Sequence, residues 1–133
     1  MKNLKLVVAL FLVSFGAFAQ AESKVYAVVT KADWCPTCKE HGTRVITEVL
    51  PLYKEPEVSI LVYDATDNAT KKASSVALET IGIDKEITDR NVTGEIAFVD
   101  ANTKKVISRI SVAKSNEQIK KAFDQAIIKS KLN

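Results

Sequence analysis

Two cysteines separated by two residues are the side chains of this sequence best suited to redox chemistry. They lie in the segment Trp34-Cys35-Pro36-Thr37-Cys38, and the 133-residue chain has no other cysteine. Two cysteines can form one disulfide, one redox pair or half of a metal site. A static crosslink over so short a loop removes little entropy from the unfolded chain. The spacing therefore favours reversible thiol–disulfide exchange, with soft-metal binding and a structural disulfide as the alternatives.

The residues around the pair predict that it lies between a strand and a helix. Residues 24–30 are β-branched and aromatic, and a helix is predicted from residue 36 to about residue 52. Cys35 then occupies the N-cap, with proline at the first helical position. The first amides of the helix and the positive end of its dipole favour the Cys35 thiolate, which is the nucleophile. Cys38, one turn along and predicted to be the more buried, is placed to resolve a mixed disulfide.

The later part of the chain predicts alternating strands and helices. Apolar periodicity indicates a strand, a helix, two strands and a last helix, at residues 58–63, 67–81, 95–99, 105–112 and from residue 115 onward. Ser115-Asn116-Glu117-Gln118 has the form of a capping box that opens the last helix. The residues predicted to face inward on the three helices are Cys38, Val45, Ile46 and Val49, then Ala73, Val76 and Ala77, then Ile119, Phe123, Ala126 and Ile127. This order predicts an α/β fold with helices on both faces of a sheet.

The first nineteen residues are predicted to be a secretory signal peptide, followed by one domain at residues 20–133. Lys2 and Lys5 precede an apolar run at residues 6–15, and Ala17 and Ala19 occupy the −3 and −1 positions. The run is shorter than the ~20 residues that a membrane span needs. We therefore expect export to the periplasm or the medium, where disulfides persist, and no stable membrane insertion after cleavage.

Charge and composition exclude several other functions. The net charge is +3, from 19 basic and 16 acidic side chains, and it falls by two when the signal peptide is removed. A charge this small does not indicate a nucleic-acid partner. The chain is 47% apolar, which is enough for one modest core and excludes a broadly disordered protein.

On these residues the sequence resembles the thioredoxin family. The specific match is Lys31-Ala32-Asp33-Trp34-Cys35-Pro36-Thr37-Cys38-Lys39, and residues 93–100 resemble the family's segment entering its third core strand. The resemblance implies a thioredoxin-like fold, with a central mixed sheet of about four strands flanked by three helices. It implies an exported thiol–disulfide oxidoreductase in which Cys35 attacks and Cys38 resolves. The partners would be protein thiols or disulfides and an unidentified redox partner, with no cofactor and a monomeric state.

Residues near the cysteine pair are predicted to contact substrate, and one direction of the reaction is favoured. Five residues form the predicted substrate surface: Trp34, Pro36, Thr37, Thr93 and Gly94. Trp34 is predicted to be an exposed platform beside Cys35, and Lys31 to add positive charge nearby. A reductase or isomerase is favoured over a strong oxidant. The alternative function is a non-catalytic thioredoxin-like binding module whose cysteines hold a soft metal or form a structural disulfide.

The sequence departs from the family pattern at three places. The cis-proline that normally faces the cysteine pair is replaced by Gly94. The buried acid of the family would lie near Val29 and its lysine partner near Ile60, and both positions are apolar. The proline that kinks the first helix is absent; Thr43 stands there, next to Gly42, and we expect a local irregularity. His41 extends the motif to Cys-x-x-Cys-x-x-His, but helix geometry places it about 240° round from the first cysteine, so no metal site is predicted.

Overall fold

Four strands and four α-helices make up residues 25–132, the part of the chain that the structure, a computed structural model, describes. In chain order they are β1 (Val25–Lys31), α1 (Pro36–Arg44), β2 (Val58–Asp64), α2 (Asn68–Thr80), α3 (Asp84–Thr88), β3 (Glu95–Asp100), β4 (Val106–Ser111) and α4 (Asn116–Lys131). The predicted signal peptide lies outside the described residues. Within residues 25–132, none of the helices combines the length and the apolar character needed to cross a membrane.

The strands form one mixed sheet in the order β2-β1-β3-β4. β1 and β2 are parallel, with Val25 opposite Val58, whereas β3 is antiparallel to both β1 and β4. Two parallel strands need a crossover connection, which residues 36–52, here called the α1 segment, supply between β1 and β2. The predicted mixed sheet of about four strands is confirmed.

Helices cover both faces of this sheet. On one face α4 buries Ile119, Phe123 and Ala126 against Phe98, as its periodicity predicted. Tyr53 stacks on Phe123 with 4.1 Å between ring centroids, and its hydroxyl donates to the Lys120 carbonyl and the Asp124 carboxylate. On the other face, α2 and α3 supply a second cluster whose apolar side chains include Leu78, Ile83 and Ile87.

The first helix is less regular than a single span over residues 36–52. After α1, residues Val45–Val49 form a π-helical turn and Leu50–Leu52 a 3₁₀ turn, so the irregularity expected near Gly42 begins a few residues later. Arg44 stands at this junction and donates to the carbonyls of Val112 and Lys114 at 2.8 and 3.0 Å. The changed helical period leaves Ile46 55% exposed, so its predicted inward position is wrong.

The second and third helices show two further differences. On α2 the predicted inward residues Ala73, Val76 and Ala77 are exposed, and Leu78 is the buried residue instead. Ser74 turns toward the sheet because its hydroxyl accepts the Asp64 amide, so a polar residue occupies the face expected to be apolar. The short helix α3 was not predicted, and at five residues it is too short to show helical periodicity.

Candidate functional site

The two cysteines lie at the N-terminus of α1, at the edge where β1 ends. Cys35 is the N-cap residue with an extended backbone, and Pro36 occupies the first helical turn. The Cys38 amide donates to Cys35 Sγ at 3.2 Å, so sulfur takes the place of the usual capping oxygen. Both cysteines are free thiols. The helix therefore directs donors and the positive end of its dipole at one sulfur, as the sequence predicted.

The loop before β3 closes over this sulfur. Gly94 has φ +73°, and a Cβ added to it would lie 3.1 Å from Thr37 Cγ2 and 3.6 Å from Cys35 Sγ. Its amide donates to the Thr30 carbonyl at 2.7 Å. Proline has no N–H and a negative φ, so it does not fit this backbone. The cis peptide bond seen among the described residues is the one that precedes Pro56, outside this loop.

The two thiols have different acidities. Burial acts to raise the pKa of the Cys35 thiol, but hydrogen bonds from the Cys38 thiol, the Thr93 hydroxyl and the amides of Cys38 and Thr37 outweigh it and hold that pKa below its ordinary value. Burial raises the pKa of Cys38, and so does the hydrogen bond that its thiol makes with Cys35. Cys35 is therefore the better thiolate, and Cys38 retains its proton.

The exposure of the two cysteines is the reverse of the prediction. Cys35 is only 3% exposed, because Thr37 and the glycine loop lie against it, whereas Cys38 is half-buried. Cys38 lines a cavity of about 170 Å³ between the α1 segment and the sheet. The expectation that Cys38 is the more buried cysteine is wrong, because Cys35 has the smaller exposed fraction.

Among the described residues, no acid lines this cavity beside Cys38, and the lining residues at the sheet include Val29 and Val62. In the parallel register Val29 lies opposite Val62, and Ile60 lies opposite Ala27. The residue that faces Val29 is therefore Val62, two residues beyond Ile60, where the sequence analysis placed the partner of the family's buried acid. Val62 is also apolar. Neither valine of this facing pair can accept a proton from Cys38.

Sequence reasoning missed a network that fixes Trp34. The indole Nε1 donates to the Thr66 carbonyl at 2.9 Å, while the Asp33 amide donates to the Thr66 hydroxyl at 3.0 Å. That hydroxyl donates to Asp64, and with Lys31 it holds the pKa of the Asp64 carboxyl below its usual range. Trp34 is thus anchored at its edge and 56% exposed, as predicted for a platform.

The ammonium group of Lys31 forms ion pairs within this network. Its Nζ lies 3.4 Å from Asp33 and 3.3 Å from Asp64, so two carboxylates offset the positive charge expected to act on the thiolate. His41 pairs with the neighbouring Glu40 at 3.7 Å. Among residues 25–132, no three histidine, cysteine or acidic side chains converge closely enough to hold a metal ion.

Comparisons with known proteins bear on the fold. A thiol-disulfide isomerase from Corynebacterium glutamicum has a TM-score of 0.54 at 15% sequence identity, over 81% of this chain and 83% of its own. A thioredoxin-like superfamily protein gives the same score and identity over 82% and 83%. Trxlp from Edwardsiella tarda is 23% identical over 83% and 93%, with a TM-score of 0.49. No protein-family model and no curated protein sequence matches this chain. The first two structures show that the fold is thioredoxin-like.

The close approach at Gly94 gives a prediction with an internal control. Gly94→Ala and Gly82→Ala both place a side chain at positive φ, which costs about 1–2 kcal/mol of unfolding free energy in each case. Only Gly94→Ala also presses on Thr37 and places a methyl group in contact with Cys35 Sγ, because nothing lies within 4 Å of a Cβ at Gly82. We expect iodoacetamide to alkylate Cys35 more slowly in Gly94→Ala than in Gly82→Ala, because the added methyl group covers a cysteine that is already only 3% exposed. Equal alkylation rates in the two variants would contradict this account of the loop.

The Thr93 hydroxyl generates a second prediction, about pH. Thr93→Ala removes a donor to the Cys35 sulfur, so the pKa of Cys35 should rise, and Thr93→Ser should leave it nearly unchanged. At a pH below that pKa, thiolate absorbance and the alkylation rate both fall in Thr93→Ala, and the loss disappears at high pH. A titration curve that is identical in wild type and Thr93→Ala would exclude the hydrogen bond.

Proposed function

We propose that this chain is an exported thiol–disulfide oxidoreductase that exchanges disulfides with protein substrates through Cys35 and Cys38. The observation that carries the proposal is the Cys35 sulfur at the start of α1, accepting the Cys38 amide at 3.2 Å. An acidified thiol with a second thiol one helical turn away has the arrangement that disulfide exchange needs. A protein of similar fold is a thiol-disulfide isomerase, which supports the same class of reaction at the level of the fold.

In the reducing direction, the Cys35 thiolate attacks one sulfur of a substrate disulfide. A bond forms between Cys35 and that sulfur as the substrate disulfide breaks, and the other substrate sulfur leaves as a thiolate and is protonated by water. Cys38 then loses its proton to solvent and attacks Cys35 Sγ, which forms the Cys35–Cys38 disulfide and releases the first substrate sulfur. The substrate gains two electrons and two protons, and an external dithiol or a redox-partner protein reduces the pair again.

The proposed substrate surface surrounds Cys35. Trp34 offers an exposed ring held in place by its bond to Thr66, and Val92 adds a second exposed apolar side chain on the loop that carries Thr93 and Gly94. Pro36 and Thr37 complete this surface on the helix. Such a rim suits a polypeptide whose disulfide is presented to a nearly buried sulfur, and we place the protein, as a monomer, in the periplasm or the medium.

Insulin reduction by dithiothreitol tests the proposed activity. The mature wild-type chain should accelerate the reaction, and Cys35→Ser should return the rate to that of dithiothreitol alone, because the attacking sulfur is lost. Cys38→Ser should instead accumulate a covalent complex between Cys35 and insulin, visible on a non-reducing gel. A wild-type rate equal to that of Cys35→Ser would refute the activity, and about one equivalent of tightly bound zinc or copper would then assign the cysteines to a metal-binding module.

The reduction potential of the Cys35–Cys38 pair tests the direction. A reductase or isomerase should have a potential at or below about −180 mV, the value of protein disulfide isomerase. Equilibration with glutathione buffers of known composition, followed by alkylation and mass measurement, gives this potential. A potential near −120 mV, that of a strong oxidant, would contradict the proposed direction and leave the exchange chemistry intact.

A further inference from the structure

The outer edge of β2 is capped at both ends. Among the described strands only β1 pairs with β2, so one side of β2 faces away from the sheet. At the start of the strand the Val58 amide donates to the Lys54 carbonyl at 3.2 Å. At its end the Asp64 amide donates to Ser74 Oγ at 3.0 Å. These two bonds show that residues 58 and 64, and hence 60 and 62 between them, direct their backbone groups outward.

The middle of this edge is open. Within the described part of the chain, no hydrogen bond reaches the outward N–H and C=O groups of Ile60 and Val62. Residues 58–63 carry no charged side chain, and Val62 is 48% exposed. Natural edge strands are usually blocked by charge, proline or a bulge. An edge that is uncharged and offers two donor–acceptor pairs is suited to the addition of an extended polypeptide as a further strand.

The cavity beside Cys38 lies next to this open edge, because Val62 belongs to both. Its apolar walls include Val29, Ile46 and Leu50, and its volume is about 170 Å³. An apolar cavity of about 150 Å³ accommodates a group as large as benzene. The cavity therefore has room for one aliphatic side chain from a strand that pairs with Ile60 and Val62.

The charge at the Asp64 end of this edge indicates which kind of residue would flank the aliphatic side chain on the added strand. Around Asp64, the single ammonium of Lys31 is shared between two carboxylates, Asp64 and Asp33, at 3.3 and 3.4 Å. This leaves an excess of one negative charge beside the open backbone groups. A basic residue on the added strand would offset it.

We propose that the edge of Ile60–Val62 and the cavity beside Cys38 form a second polypeptide-binding groove, here called the edge groove. Its occupant is an extended segment of a substrate polypeptide with an aliphatic side chain and a basic flanking residue, which adds to β2 as a fifth strand of the sheet. Cys38 lines the cavity, so the bound side chain covers the resolving sulfur. Binding of a polypeptide in the edge groove does not depend on the proposed function. The claim that this polypeptide is a substrate rests on the proposed oxidoreductase activity.

The test uses a seven-residue peptide with lysine at both ends and alternating threonine and leucine between them. At a peptide concentration ten times the Kd, amide hydrogen exchange at Ile60 and Val62 should slow by about tenfold. Val62→Lys places a charge on the edge and should abolish this protection. Val76→Lys is the matched control, since Val76 is 57% exposed on α2, which packs on the opposite face, and it should retain the protection.

Several outcomes would overturn the edge groove. Absence of protection in the wild type would do so, and so would equal protection in wild type and Val62→Lys. Protection that appears without peptide and grows with protein concentration would show that a second copy of the chain pairs at this edge instead. Insulin reduction without peptide protection would refute the groove and leave the oxidoreductase intact, whereas protection without insulin reduction would support the groove and refute the oxidoreductase.

Discussion

The backbone of Gly94 is the constraint on which the site depends. Its N–H donates to the carbonyl of Thr30 at the end of β1, and its C=O accepts the amide of Val112 just after β4. Three strand ends are therefore held together at one residue. Because Gly94 has no side chain, this junction can lie against Thr37 and the Cys35 sulfur with no atom between them. The sheet thus fixes the distance between the start of α1 and the loop. This distance allows donors from both segments to reach the Cys35 sulfur and lower its pKa.

Two segments far apart in the sequence then act on one sulfur. The first turn of α1 contributes amide donors and its dipole, and the loop contributes the hydroxyl of Thr93. A sulfur stabilised as the thiolate accepts a hydrogen bond from its neighbour and repels a second negative charge, which keeps the proton on Cys38. The same contacts therefore make one cysteine the nucleophile and hold the other in its thiol form until the first has reacted.

The parts of the site that were predictable from sequence are those specified by neighbouring residues. The N-cap of α1, its proline and the capping box at Ser115 depend on a few consecutive side chains, and all three are confirmed. The contact between Trp34 and Thr66 joins two segments 32 residues apart and has no local signal. The wrong prediction about the burial of Cys38 has a similar cause, because whether a side chain is buried depends on what fills the space beside it.

That cause is clearest at Cys38. Periodicity places this residue on the inner side of α1, and it is indeed there, but the side chains opposite it are valines too short to fill the space. Val29 and Val62 lie side by side on adjacent strands at this cavity, and neither side chain can accept a proton from Cys38. Because Cys38 lines the cavity that forms part of the edge groove, a side chain bound there would lie against the thiol that must lose its proton before the mixed disulfide is released.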